Sequence, residues 1–208
     1  RVKEMNYWKL QIKLAKKNAE ISLENNIQNE KRLAHILQKL KENLSLSSLP
    51  KRIECFDISN TQGTNPVASM VVFSNCEPDK SKYRKFNINC KGPNDYEMMK
   101  EAIQRRLKRI DQDGWEKPDL ILIDGGKGHL NKISSLIPKN INVASIAKPL
   151  KKENIDKIYL PNQKDSVEFN KDIEPLNILI NLRNEAHRFA ITFHKSRRSK
   201  EMLGQLKT

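Results

Sequence analysis

Between Pro118 and the pair Gly125-Gly126 the chain reads Asp119-Leu120-Ile121-Leu122-Ile123-Asp124. Four consecutive aliphatics predict a strand buried on both faces, the pattern of a parallel sheet. That requirement places the chain among folds that layer helices over such a sheet. Ligands of parallel sheets bind beyond the carboxyl ends of the strands, where Asp124 sits. Gly125-Gly126 turns the chain and lets a ligand or metal approach the backbone closely. A helix is expected to follow from His129 to Leu136.

Other segments supply the remaining layers. Residues 2–24 carry Val2, Met5, Trp8 or Leu10, Ile12, Ala15 and Ala19 at helical spacing. Residues 27–46 repeat the pattern with Ile27, Leu33, Ile36, Leu37, Leu40 and Leu44. One long helix or a helix pair is expected, ended by a linker from Ser45 to Pro50. From Arg52 the period becomes that of strands: Arg52 to Ser59, Val67 to Phe73 and Tyr83 to Asn89, with a polar turn from Asn60 to Pro66. Short links make these an antiparallel meander.

Asn94 or Asp95 can cap a helix running to Ile110. Its buried stripe is expected at Met98 or Met99, Ala102, Ile103 and Leu107, and its outer face at Arg105, Arg106, Lys108 and Arg109. After Asp124 come a strand from Asn142 to Ala147, a hairpin from Lys151 to Asn170 around Pro161 and Asn162, and a helix from Ile173 to Ser196. On that last helix Leu176, Ile180, Arg183, His187 and Ile191 are expected to share a face. The sum is an α/β domain with a mixed sheet.

Formal net charge is +14, with 39 Lys and Arg against 25 Asp and Glu in 208 residues. An excess of that size points to a polyanionic partner, most often nucleic acid. No apolar run is long enough to span a bilayer, and the N-terminus lacks the apolar core of a signal peptide. No membrane partner is expected. Cys55, Cys76 and Cys90 are odd in number and lack Cys-x-x-Cys spacing, which argues against a disulfide framework and a zinc site. Cys55 fits a core strand, and a reducing, cytoplasmic setting is the default. Opening on Arg1, the chain reads as part of a longer protein.

Three stretches carry chemistry: Phe56-Asp57-Ile58-Ser59, Asp124-Gly125-Gly126-Lys127-Gly128 and Arg183-Asn184-Glu185-Ala186-His187-Arg188-Phe189. Aspartate is depleted from strands, and a buried carboxylate without a partner is costly, a cost that a metal removes. Two carboxylates and an imidazole brought together can hold a divalent ion and activate water. Asp57 could instead cap the next turn, and Asp95 could be complete as a helix cap. Lys127 could hold a backbone phosphate at a helix start or stand solvated in its turn. A Walker loop is excluded, since Gly-x4-Gly-Lys-Ser/Thr is not present. A lone helix histidine is ordinarily packed or solvated. His187, however, is flanked by Arg183 and Arg188 within a run from Arg183 to Lys200 that carries six basic residues, among them Lys195, Arg197 and Arg198, and one acid, Glu185. Such a run suits a phosphate-facing surface. His194 shares that side.

These motifs, in order from Arg52 to Lys200, resemble the C-terminal nuclease half of the UvrC family. UvrC is the incision subunit of the bacterial UvrABC nucleotide excision repair endonuclease. The resemblance runs through Arg52-Ile53-Glu54-Cys55-Phe56-Asp57-Ile58-Ser59-Asn60, Asn94-Asp95-Tyr96, Pro118 to Gly128 and Arg183 to His194. It is weaker before Arg52. It implies an RNase H-like, five-stranded mixed sheet with flanking helices, preceded by a helical segment. It also implies a Mg²⁺- or Mn²⁺-dependent endonuclease cutting damaged double-stranded DNA 5′ to the lesion, with UvrB as partner and UvrA upstream.

The family's essential Asp, Asp and His fall on Asp57, Asp124 and His187, and a further family aspartate on Asp95. Asp57 and Asp124 are the implied metal ligands. A neutral imidazole in place of an RNase H carboxylate adds no charge to offset a second Mg²⁺. One ion on Asp57 and Asp124, with His187 as ligand or proton shuttle, is as consistent as two. The expected organisation is a helical connector over residues 1–50, the nuclease domain over 51–200 and the start of a linker over 201–208. A DNA-binding module without catalysis, and a partner-docking role for the N-terminal helix, are the competing readings.

Overall fold

The computed structural model describes residues 2–59, 67–90, 94–149, 155–169 and 173–205, without the side chains of 2–4, 59 and 193–205. The expected turn from Asn60 to Pro66 lies outside the described residues. The chain divides into two compact units, Arg1–Ile36 and Leu37–Thr208. The first is the helix α1 (Val2–Asn43) as far as Ile36. No Gly or Pro interrupts this stretch, so one helix forms rather than a pair. Met5, Trp8, Leu10, Ile12, Leu23 and Ile27 are exposed on it. The division falls inside α1 because Leu37, Leu40 and Leu44, with Leu46 after them, are buried side chains of the second unit.

Among its described residues the second unit holds a seven-stranded mixed sheet. The order is β3 (Glu77–Pro78), β2 (Val67–Ser74), β1 (Arg52–Ser59), β5 (Leu120–Asp124), β6 (Asn142–Ala147) and β7 (Lys157–Tyr159). β4 (Arg84–Asn87) shares the outer edge of β2 with β3. β1 is parallel to β5, and β5 to β6; the other pairings are antiparallel. The two strands beyond the expected five are β3 and β7. Elements of two and three residues are too short to show alternation in sequence. β7 forms one side of the expected hairpin, bridging Val167 through Ile158. β5 is central, and Leu120, Ile121, Leu122 and Ile123 are fully buried.

Successive residues of β1 serve opposite layers, as the pleat requires. Glu54 meets Arg106 of α2 (Asp95–Leu107), whereas Asp57 meets His187 of α4 (Glu174–Gln205). Arg106 corrects the sequence reading. It is fully buried rather than on the outer face of α2, because Glu54 stands opposite it and takes two hydrogen bonds of 2.8 Å from Nε and Nη2. The buried stripe of α4 is Leu176, Leu179, Leu182, Ala186 and Ala190, with Arg183 beside it. Ile191, expected on that face, is exposed. The small residues Ala186 and Ala190 let α4 lie close on β1 and β2. His187 is thereby set at the margin of the interface rather than within it. The short helix α3 (Lys127–Ser134) packs on β6.

Candidate active site

The site starts from strand register. Cys55 lies beside Leu122 and Phe56 beside Ile123 in the parallel pair β1–β5. Continuing that register by one residue sets Asp57 beside Asp124, on strands about 4.8 Å apart. Both carboxylates therefore leave the same face at the carboxyl ends of neighbouring parallel strands. Ser69, paired with Asp57 across β1–β2, places its hydroxyl 3.4 Å from the Asp57 carbonyl and 3.3 Å from that of Ala186. A small polar residue here ties α4 to β1 one position before His187. The His187 Nδ1 then lies 3.5 Å from Asp57 Oδ2.

Asp57, Asp95, Asp124 and His187 line one pocket of about 270 Å³, together with Ile58, Met99, His129 and Lys148. The structure thus brings together all four residues that the sequence nominated for catalysis. Asn94, not Asp95, caps α2: its side-chain oxygen accepts from the Glu97 N–H at 3.3 Å. Asp95 is released from the capping role and stands at the pocket wall.

His129 and Lys148 were not nominated. His129 lies in the first turn of α3, and Gly125 makes room for it. A Cβ at Gly125 would come within 3.2 Å of the His129 ring. The close approach at that glycine is to a side chain of this chain. Lys148 immediately follows β6, so the strand-end rule that singles out Asp124 could have found it.

Burial and the neighbouring Asp124 charge raise the Asp57 carboxyl to about 6, with His187 and Lys148 opposing the rise. Burial also raises Asp124, held down in turn by the positive charge of Arg183 and Lys148. The thiol of Cys55, buried behind both acids, is pushed upward by burial and then by their charge. Two desolvated carboxylates side by side need a counter-charge. Among the described residues, no three His, Cys, Asp or Glu side chains are grouped to hold a metal ion. A pair of oxygen ligands opening on a pocket instead fits a hard cation that keeps several of its waters.

Of the residues expected to contact DNA, Arg188 is exposed while paired with Glu185 through bonds of 2.6 Å. Lys127 donates to the Lys164 carbonyl at 2.9 Å. Arg183 is not at the surface. It is 8% exposed and donates to Asp156 and to Asn184 Oδ1. Its charge is committed to the underside of the site because Asp156 meets it there. The side chains of Lys195, Arg197 and Arg198, like that of His194, lie outside the described residues.

Residues 41–191 match the family model described as the UvrC RNAse H endonuclease domain. The chain is 44% identical over 181 residues to UvrABC system protein C of Cytophaga hutchinsonii, covering 84% of this chain and 29% of that protein. It is 43% identical over 197 residues to UvrABC system protein C of Methanosphaera stadtmanae, covering 91% and 32% respectively. The chain thus spans about a third of the length of the curated relatives it matches. Among solved structures, endonuclease V of Ciona intestinalis in complex with a 23mer DNA aligns with a TM-score of 0.40 at 17% identity, covering 66% of this chain and 74% of that one. The catalytic domain of human endonuclease V aligns at 0.41 and 14%, covering 63% and 60%. The family match takes in every residue of the pocket, from Asp57 to His187, and the chain belongs to the UvrC RNase H endonuclease domain family.

Proposed function

We propose that this chain makes the 5′ incision at damaged double-stranded DNA in cytoplasmic nucleotide excision repair, as a metal-dependent endonuclease domain working with UvrB after UvrA. The observation that carries this reading is the convergence of Asp57, Asp95, Asp124 and His187 on one pocket at the ends of parallel strands. Asp57 and Asp124 would hold Mg²⁺ or Mn²⁺, which when bound acidifies a water and offsets phosphate charge. Asp57 Oδ2 orients the His187 ring through Nδ1 and leaves Nε2 to exchange a proton. In the hydrolysis the water oxygen bonds to phosphorus and the bond from phosphorus to the sugar oxygen breaks. His187 takes the proton from water, and solvent supplies the proton that the departing oxygen takes up. Lys127, Arg188 and the basic run of Lys195, Arg197 and Arg198 would follow backbone phosphates. Arg183 acts from beneath, as a buried charge beside Asp124.

The test is incision of a lesion-bearing duplex, already nicked 3′ to the damage, with UvrB and with Mn²⁺ or EDTA. Asp57→Ala and Asp124→Ala should abolish 5′ incision with the fold intact. His187→Ala should lose about 10²–10⁴-fold in single-turnover rate while DNA affinity and melting temperature stay close to wild type. Normal cutting by either aspartate variant would overturn the assignment.

A further inference from the structure

The pocket contains a cation that the proposed chemistry has not used. Lys148 leaves the carboxyl end of β6, the strand next to β5. Asp124 pairs with Ile146, and Lys148 lies two residues further on. Pro149 follows and disfavours a helical backbone at Lys148. Three adjacent parallel strands thus carry Asp57 near the end of β1, Asp124 at the end of β5 and Lys148 just past the end of β6. The Lys148 side chain is exposed and lines the pocket with both acids. Among the described residues it has no hydrogen bond or ion pair. Arg183, the other basic side chain whose charge acts on Asp124, is already bound to Asp156.

The charge inventory of the pocket gives Lys148 a task. Its walls carry the carboxylates of Asp57, Asp95 and Asp124 and the ammonium of Lys148. With both imidazoles neutral, two negative charges remain. A single divalent cation cancels them, whereas two would leave an excess of positive charge. A second metal in a phosphodiester site normally neutralises charge on the attacked phosphate and the departing oxygen. Lysine binds phosphate as a compact point charge and can supply that neutralisation without a ligand set.

We propose that Lys148 is a catalytic residue whose ammonium contacts the scissile phosphate beside the carboxylate pair, supplying the charge neutralisation that a second metal would supply. The inference rests on the endonuclease reading given above. Lys148 carries no proton in the step. It holds negative charge as it grows on the phosphoryl and departing oxygens, and the bond changes are those already written.

The experiment compares wild type, Lys148→Met, Lys148→Arg, Asp57→Asn and Asp124→Asn. It measures single-turnover incision of the pre-nicked duplex with UvrB, Mn²⁺ affinity of the isolated chain, and thermal melting. Lys148→Met should incise about 10²–10³-fold more slowly, the loss typical of removing one charge-stabilising group. It should bind Mn²⁺ at least as tightly as wild type, because a repelling neighbour is gone, and melt at the same temperature. Lys148→Arg should recover part of the rate. Incision by Lys148→Met within threefold of wild type would overturn the proposal. So would weakened Mn²⁺ binding in that variant, which would make Lys148 a support for the acids. The two failures separate. If Asp57→Asn and Asp124→Asn stop cutting while Lys148→Met does not, the endonuclease reading stands and this inference falls. If the aspartate variants cut normally while Lys148→Met does not, the carboxylate assignment falls and the lysine contact stands.

Discussion

Asp57 destabilises the metal-free fold at neutral pH. Its carboxyl ionises at about 6 in the folded chain against 3.8 for an ordinary aspartate, first because it is buried and then because Asp124 is beside it. Between those values the folded state binds more protons than the unfolded state, so stability falls as pH rises through the window. Above it the full penalty applies, about 2–3 kcal/mol for a shift of this size. Asp57→Asn should therefore stabilise the protein in EDTA by about that amount near pH 7, and the two curves should converge below about pH 4. Urea unfolding at several pH values checks this. Mn²⁺ should stabilise the wild type far more than the variant. An Asn variant less stable than wild type in EDTA at neutral pH would contradict the account. This residue was legible because an aspartate in an apolar strand conflicts with strand preference. His129 and Lys148 conflict with nothing local, and only the pocket they share with Asp57 marks them.

The pairing of β1 with α2 turns on one buried ion pair. Glu54 and Arg106 are both fully buried, and Glu54 also accepts from Arg52 Nε at 3.0 Å. Arg106 Nη1 has no hydrogen-bond partner among the described residues, so the guanidinium depends on Glu54 and the Glu116 carbonyl. Glu54→Gln would leave that charge buried without its carboxylate, at a cost of about 3–5 kcal/mol. Replacing both, Glu54→Leu with Arg106→Met, should restore most of the loss, since a buried pair often exchanges for apolar residues of similar size with little change. Chemical denaturation of the single and double variants tests this. A loss below about 1 kcal/mol for Glu54→Gln would mean that the charge is not truly desolvated. Helix periodicity places Arg106 next to other basic residues, so sequence assigns it to solvent. Its true partner is 52 positions away in the chain.

At the scale of the molecule the charge of +14 is what the proposed DNA binding would rest on. Displacing counterions from about five phosphates gives a log–log salt slope near −4 to −5 for duplex binding. Titrations between low and physiological salt should show that slope and little dependence on sequence. A flat response would assign the charge another purpose. Arg188→Ala should lower the slope by about one, whereas Arg183→Ala should leave it unchanged, because Arg183 is bound to Asp156 inside the fold.

The layering of helices over a mixed sheet followed from the sequence alone, as did the placement of Asp57 within β1 and of Asp124 at the end of β5. A residue's periodicity and its strand or helix preference are local properties. The uninterrupted aliphatic run of β5 needed no partner to be recognised. The short strands β3 and β7, the burial of Arg106 and Arg183, and the entry of His129 and Lys148 into the site were decided by tertiary structure. Each depends on what lies across a gap from it, and that neighbour comes from a distant part of the chain. A charged side chain is read as solvated until the fold supplies its opposite charge, because burying it alone is too costly. The same rule makes an acid within an apolar strand conspicuous, and so Asp57 and Asp124 were visible as candidates before the cavity that unites them.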